Sequence, residues 1–136
     1  MQQQQRVVHF EVVAEQPERA LRFYADTFGW KANKWEGPEE YWLLTTGEEG
    51  QLGINGGLGW AADMNLAPCT VNTIQVPSVE EAVARITQCG GTVVVPKFPL
   101  PGIGHLASCK DTEGITLGLI EFAAAPNPSE NADGAS

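Results

Sequence analysis

The chain has 136 residues, 43% of them hydrophobic and four of them Trp, enough for one domain with a real core and too apolar for a disordered segment. Its net charge of −9, with eight scattered Lys and Arg, would repel a phosphate backbone and excludes nucleic acid as an expected partner. No apolar run approaches the roughly 18 residues that span a bilayer, so a membrane is excluded too. The start, Met1 to Arg6, carries no apolar stretch of a secretory signal, and a cytoplasmic home is expected.

In chain order, residues 1–5 read as a frayed polar start. Residues 7–13, rich in Val, read as a strand. Pro17 suits a first helical turn, and Leu21, Tyr24 and Phe28 recur at helical spacing up to Gly29. A second strand is expected from Trp30 to Trp35, then a turn, then a third strand from Tyr41 to Thr45. A fourth is placed from Gln51 to Asn55, running into a Gly-rich loop, and residues 59–69 read as a linker.

The order then repeats. Residues 70–76 read as a strand. Ser78 and Glu81 have the spacing of a capping box at the start of a helix whose face carries Ala82, Val83, Ile86 and Cys89. Gly90-Gly91 ends it. Strands follow at Val93 to Val95, His105 to Cys109 and Thr116 to Phe122, with a proline-rich loop from Pro96 to Gly104 and a turn at Lys110 to Gly114. Residues 124–136 read as a disordered tail. Each half is therefore strand, helix and three strands, and a duplicated unit of this kind has to cover one sheet face with its helix. The repeat register pairs His9 with Asn72.

The three cysteines, Cys69, Cys89 and Cys109, are odd in number and form no CxxC pair, so reduced thiols are expected rather than a disulfide framework or a thiolate zinc site. No nucleophile elbow, phosphate loop or dinucleotide fingerprint is present.

Three segments carry a family likeness: His9-Phe10-Glu11-Val12 followed by Pro17-Glu18-Arg19-Ala20-Leu21-Arg22-Phe23-Tyr24 and Phe28-Gly29-Trp30; Gly53-Ile54-Asn55-Gly56-Gly57-Leu58; and Pro96-Lys97 with Pro101-Gly102-Ile103-Gly104, Lys110-Asp111-Thr112-Glu113-Gly114 and Leu117-Gly118-Leu119-Ile120-Glu121. Together they resemble the paired modules of the vicinal oxygen chelate superfamily, which includes glyoxalase I, bleomycin-resistance proteins, fosfomycin-resistance enzymes and extradiol dioxygenases. The chain is most similar to a bacterial subgroup of small glyoxalase-related proteins. The resemblance implies an α+β fold of two tandem βαβββ modules, about 7–58 and 70–122. Their mixed sheets would form a half-open barrel around a cavity, with the helices outside. It also implies a homodimer.

Metal-dependent members of that superfamily hold a divalent ion from equivalent positions on the first and last strands of the two halves, leaving room for two substrate oxygens. Carried over, these positions are His9, Asn72, Glu121 and either Gly56 or Gly57. His9 and Glu121 can donate to a metal, Asn72 is a neutral oxygen donor suited to Mg²⁺ or Ca²⁺, and glycine donates nothing. His9 and Glu121 could equally form a hydrogen-bonded pair that anchors a ligand without metal. Ligand contacts are expected from His9, Asn72, His105, Trp30 and Trp42, with Glu121 as the candidate catalytic carboxylate. The leading expectation is a small-molecule binding protein with an incomplete metal site. The alternative is a divalent-metal-dependent lyase, isomerase or dioxygenase acting on vicinal oxygens.

Overall fold

In a computed structural model of the chain, residues 5–123 are described. The elements run β1 (Val7–Ala14), α1 (Pro17–Phe28), β2 (Lys31–Lys34), β3 (Tyr41–Thr45), β4 (Gly56–Trp60), α2 (Ala61–Met64), β5 (Cys69–Gln75), α3 (Val79–Gln88), β6 (Thr92–Leu100), β7 (Gly104–Lys110) and β8 (Thr116–Phe122). The fold is α+β, built from two βαβββ modules. The chain divides into two units, one of Val7–Thr73 and one that begins at Ile74 and takes in Arg6.

In the first unit the strand order is β2-β3-β4-β1. β1 pairs parallel with β4, and β3 pairs antiparallel with both β4 and β2. Strand alternation divides the residues between two faces. Val12, Ala14, Trp42, Leu44 and Leu58 form a core under α1, joined by Phe10, Ala20, Leu21, Tyr24 and Trp30. His9, Glu11, Val13, Tyr41 and Gly57 therefore point to the opposite face, open in that α1 does not cover it, although Val13 is buried there against Ala61 and Val71. α1 begins at Pro17, whose missing N–H costs nothing there, and ends at Gly29 in the left-handed conformation (φ 77°).

The fourth strand forms over Gly56–Trp60 rather than over residues 51–55. Thr46 closes the preceding loop instead: its amide donates to Asn55 Oδ1 (2.9 Å) and its hydroxyl to the Ile54 carbonyl (2.7 Å). Glycine is a poor strand former, yet three of these five residues are glycine. The neighbours explain it. A Cβ on Gly56 would stand 2.6 Å from the Phe10 ring, and one on Gly59 2.8 Å from Met64 Sδ. Large side chains occupy the space that the glycines leave. The expected linker is likewise part of this unit, because Ala61 of α2 packs with Val13 and Val71, with Met64 and Leu66 alongside.

In the second unit the strand order is β8-β7-β6, antiparallel throughout, with the end of β5 beside β8 where the Val76 amide donates to the Ile120 carbonyl (2.9 Å). Val76, Val79, Ala107, Cys109 and Leu119 form its core under α3. Ser78 Oγ accepts the Glu81 amide (3.1 Å), the N-cap bond expected of that pair. The stretch from Pro96, expected as loop, is strand as far as Leu100. β6 lies at the sheet edge and shifts register twice, between Val93 and Val95 and between Val95 and Phe98, which is where prolines lacking an N–H are tolerated.

Candidate functional site

On the open face of the first unit, three polar side chains meet. His9 and Glu11 are next-but-one on β1 and so share a face, and Tyr41 reaches them from β3. His9 Nε2 is 2.9 Å from Glu11 Oε2 and 3.2 Å from the Tyr41 hydroxyl. The Tyr41 hydroxyl donates to the same Glu11 oxygen at 3.0 Å. With its proton on Nε2, His9 donates there as well, so Oε2 receives two donors. The other oxygen, Oε1, is buried and has no hydrogen-bond partner among the described residues. Burial, the Glu11 charge and the Glu11 hydrogen bond together push the Tyr41 hydroxyl far above the usual phenol range, in that order of importance.

Gly57 makes this arrangement fit. It pairs with Glu11 across β1 and β4, and a Cβ at this position would overlap the Tyr41 hydroxyl. The glycine that cannot donate to a metal is thus the residue that lets a phenol lie over the carboxylate.

The remaining expected site residues are described each within its own unit. Asn72 is exposed, whereas its neighbours Val71 and Thr73 are buried, and Val71 packs with Val13. The repeat register is therefore corrected by one residue. Ala14 packs under α1 as Val76 does under α3, and aligning on these sets Val71, not Asn72, in the place of His9. A slip of one residue turns every side chain to the other face, which is why Asn72 points away. The same correction applies to β8. Leu119 holds under α3 the place that Leu58 holds under α1, so Gly118 corresponds to Gly57 and Glu121 to Trp60.

Glu121 accordingly shares the helix face of its unit with Leu117 and Leu119. Its Oε1 accepts the Val79 amide at 2.9 Å, at the first turn of α3. A carboxylate there satisfies an orphan N–H and meets the positive end of the helix dipole. His105 pairs with Glu121 across β7 and β8 and lies on that same face, along with Ala107 and Cys109. Trp30 and Trp42 belong to the core under α1, Trp30 stacked on Tyr24 at 5.0 Å. Trp30 also lines a groove of about 370 Å³ beside that helix with Leu21, Tyr24 and Leu44.

The donor set does not suit a divalent metal. Of the equivalent positions, His9 offers a nitrogen, while Gly57, Val71 and Gly118 offer no side-chain donor. His9 Nε2 is engaged with Glu11 and Tyr41, which leaves Nδ1 as the one His9 nitrogen with a lone pair to offer. Among the described residues, no group of three or more His, Cys, Asp or Glu gathers as a metal site would require.

Sequence reasoning did not select Glu11 or Tyr41 as site residues. The signal was present in the spacing: a carboxylate two residues from His9 on a strand must share its face.

The profile of the Glyoxalase/Bleomycin resistance protein/Dioxygenase superfamily matches residues 6–119. The chain belongs to this superfamily. Solved structures share the fold. Methylmalonyl-CoA epimerase from Mycobacterium tuberculosis matches with a TM-score of 0.65 and 14% identity, over 87% of this chain and 88% of that one. A hypothetical protein from Bacillus halodurans matches with a TM-score of 0.67 and 14% identity, over 92% of this chain and 99% of that one. A superfamily member from Vibrio splendidus matches with a TM-score of 0.57 and 18% identity, over 85% and 97%. No curated protein matches the chain. At these identities the likeness concerns the fold and not the substrate.

Proposed function

We propose that this superfamily member binds a small molecule on the open face of its first unit, beside His9, Glu11 and Tyr41, and does so without a resident divalent metal. The observation that carries this reading is the convergence of three polar side chains on one sheet face: His9 Nε2 and the Tyr41 hydroxyl both lie within hydrogen-bond distance of Glu11 Oε2 and of each other. The side chains of His9 and Glu11 are 28% and 14% exposed, so the cluster opens to solvent on the His9 side.

The test is a fragment screen by NMR on chelator-treated full-length chain, following the His9 imidazole and Tyr41 ring signals. Saturable shifts of both signals are expected from at least one ligand class. If ligands move these signals only after a divalent metal is added, the metal-dependent enzyme is the better reading.

The chain is further proposed to work in the cytoplasm as a homodimer. The surface that supports this is the edge strand β6, whose Val93, Val94, Val95 and Phe98 are exposed. Sedimentation at micromolar concentration, with a Phe98→Lys variant becoming monomeric, tests it.

A further inference from the structure

We infer that Asn55 is a modification site gated by Thr46: it cyclises onto Gly56 when the loop between Thr46 and Asn55 opens, and its isoaspartate product unseats Tyr41 from Glu11. This holds whatever binds on that face.

The fold itself brings the reactive pair together. Position 56 is glycine because a Cβ there would stand 2.6 Å from the Phe10 ring. Position 55 supplies the oxygen that closes the loop, since the Thr46 amide donates to Asn55 Oδ1 at 2.9 Å. When glycine follows asparagine, no Cβ hinders the main-chain nitrogen from reaching the side-chain carbonyl. Among the described residues the other asparagines, Asn33, Asn65 and Asn72, precede Lys34, Leu66 and Thr73.

In the step, the Gly56 nitrogen gives its proton to hydroxide and attacks Asn55 Cγ. The N–Cγ bond forms, the Cγ–Nδ2 bond breaks, and Nδ2 leaves as ammonia with a proton taken from water. Water then opens the five-membered imide at either carbonyl. One opening gives aspartate. The other gives isoaspartate, whose main chain runs through the former side chain. Nothing is oxidised or reduced.

The closed loop blocks this step. Gly56 is buried and paired with both Phe10 and Leu44, which keeps hydroxide from its nitrogen. Thr46 clasps the segment twice, by its amide to Asn55 Oδ1 and by its hydroxyl to the Ile54 carbonyl at 2.7 Å. Residues 47–55 are all exposed, so little apolar burial adds to these bonds, and local opening is governed by the clasp.

The two products differ in effect. Aspartate keeps an oxygen for the Thr46 amide, and the loop recloses with one more negative charge. Isoaspartate lengthens the main chain by one methylene at the entry to β4. Gly57 pairs with Glu11 and lies under the Tyr41 hydroxyl, where a methyl group has no room. Moving β4 by one bond, about 1.5 Å, takes Gly57 from that place.

The experiment incubates the full chain at mildly alkaline pH, folded and in urea. Peptide mapping with fragmentation locates the modified residue, and isoaspartyl methyltransferase counts isoaspartate. Conversion is expected at Asn55 before Asn33, Asn65 or Asn72, and faster in the unfolded chain than in the folded one. Thr46→Ala should speed it in the folded chain about three- to tenfold, the worth of one hydrogen bond, and Thr46→Ser should restore the native rate. The isoaspartyl fraction, separated by ion exchange, should show a shifted Tyr41 ring NMR signal, and the aspartyl fraction the native one. Equal rates in the native, Thr46→Ala and unfolded chains would overturn the gate. Earlier conversion of another of these asparagines would overturn the site, and a native Tyr41 signal in the isoaspartyl fraction would overturn its effect. Should Thr46→Ala not fold, the ratio of folded to unfolded rates in the native chain decides.

Discussion

Gly57 lies under the Tyr41 hydroxyl so closely that a single methyl group at position 57 would overlap it. The contact ties two facts together. Gly57 is at a position where the superfamily resemblance implies a metal ligand, and Tyr41 donates into the Glu11 carboxylate across the space that the missing side chain leaves. The absence of a side chain at position 57 is what gives the phenol its place over the carboxylate.

Gly57→Ala is expected to force Tyr41 off Glu11. Overpacking of a close-packed site costs about 1–3 kcal/mol, and the loss should appear as a lower urea midpoint. Gly57→Ala combined with Tyr41→Ala should recover part of it, because the overlapping ring is gone. No recovery would mean that the glycine serves the backbone rather than the phenol.

Tyr41 also predicts a pH dependence. Its hydroxyl titrates far above the usual phenol value of about 10, so the folded state holds this proton more tightly than the unfolded chain does. The resulting stabilisation is fully present below about pH 10 and is lost as pH rises beyond it. Tyr41→Phe should remove this alkaline loss. At neutral pH it should cost about 1.5–3 kcal/mol, the worth of a hydrogen bond to a charged group. Urea melts from pH 8 upward check both effects, and equal alkaline slopes in the two proteins would refute the first.

Much of the fold was legible in the sequence because its signals are local. Pro17 and Gly29 bracket α1, Ser78 caps α3, and the alternation in β3 is plain. β4 was not legible, because a strand of glycines depends on Phe10, Tyr41 and Met64 filling the space above them, and the first two are distant in sequence. The site failed for a sharper reason. The two halves are related by a register that homology of motif alone does not fix to one residue, and one residue is the difference between the open face and the helix face. His9 was found because it sits on the open face by itself. Asn72 and Glu121 were placed with it by a slip, and Glu11 was passed over although it lay two residues away.

Glu121 is therefore expected to matter for stability and not for ligand binding. Glu121→Ala frees the Val79 amide at the start of α3 and should cost about 1 kcal/mol, as loss of a helix cap does. Ser78→Ala, which frees the Glu81 amide of the same turn, should cost a similar amount. Both variants should retain the ligand-induced shifts of His9. Loss of those shifts in Glu121→Ala, with folding intact, would return Glu121 to the site.

The three thiols should divide by reactivity. Cys69 and Cys89 are exposed, while Cys109 is buried and its burial pushes the thiol up. A thiol-specific chromogenic reagent should label two cysteines quickly in the native chain and the third only on unfolding. Three fast equivalents would show that the core under α3 opens readily.

The central claim is that the site holds a hydrogen-bonded cluster where the superfamily resemblance implies a divalent metal. Titration calorimetry of Mg²⁺, Mn²⁺, Ni²⁺ and Zn²⁺ into chelator-treated full-length chain, repeated with His9→Ala, tests it most directly. The account predicts no stoichiometric binding that depends on His9, and elemental analysis of chain purified without chelator giving well below one equivalent. One equivalent of metal, bound by the native chain and lost in His9→Ala, would contradict it.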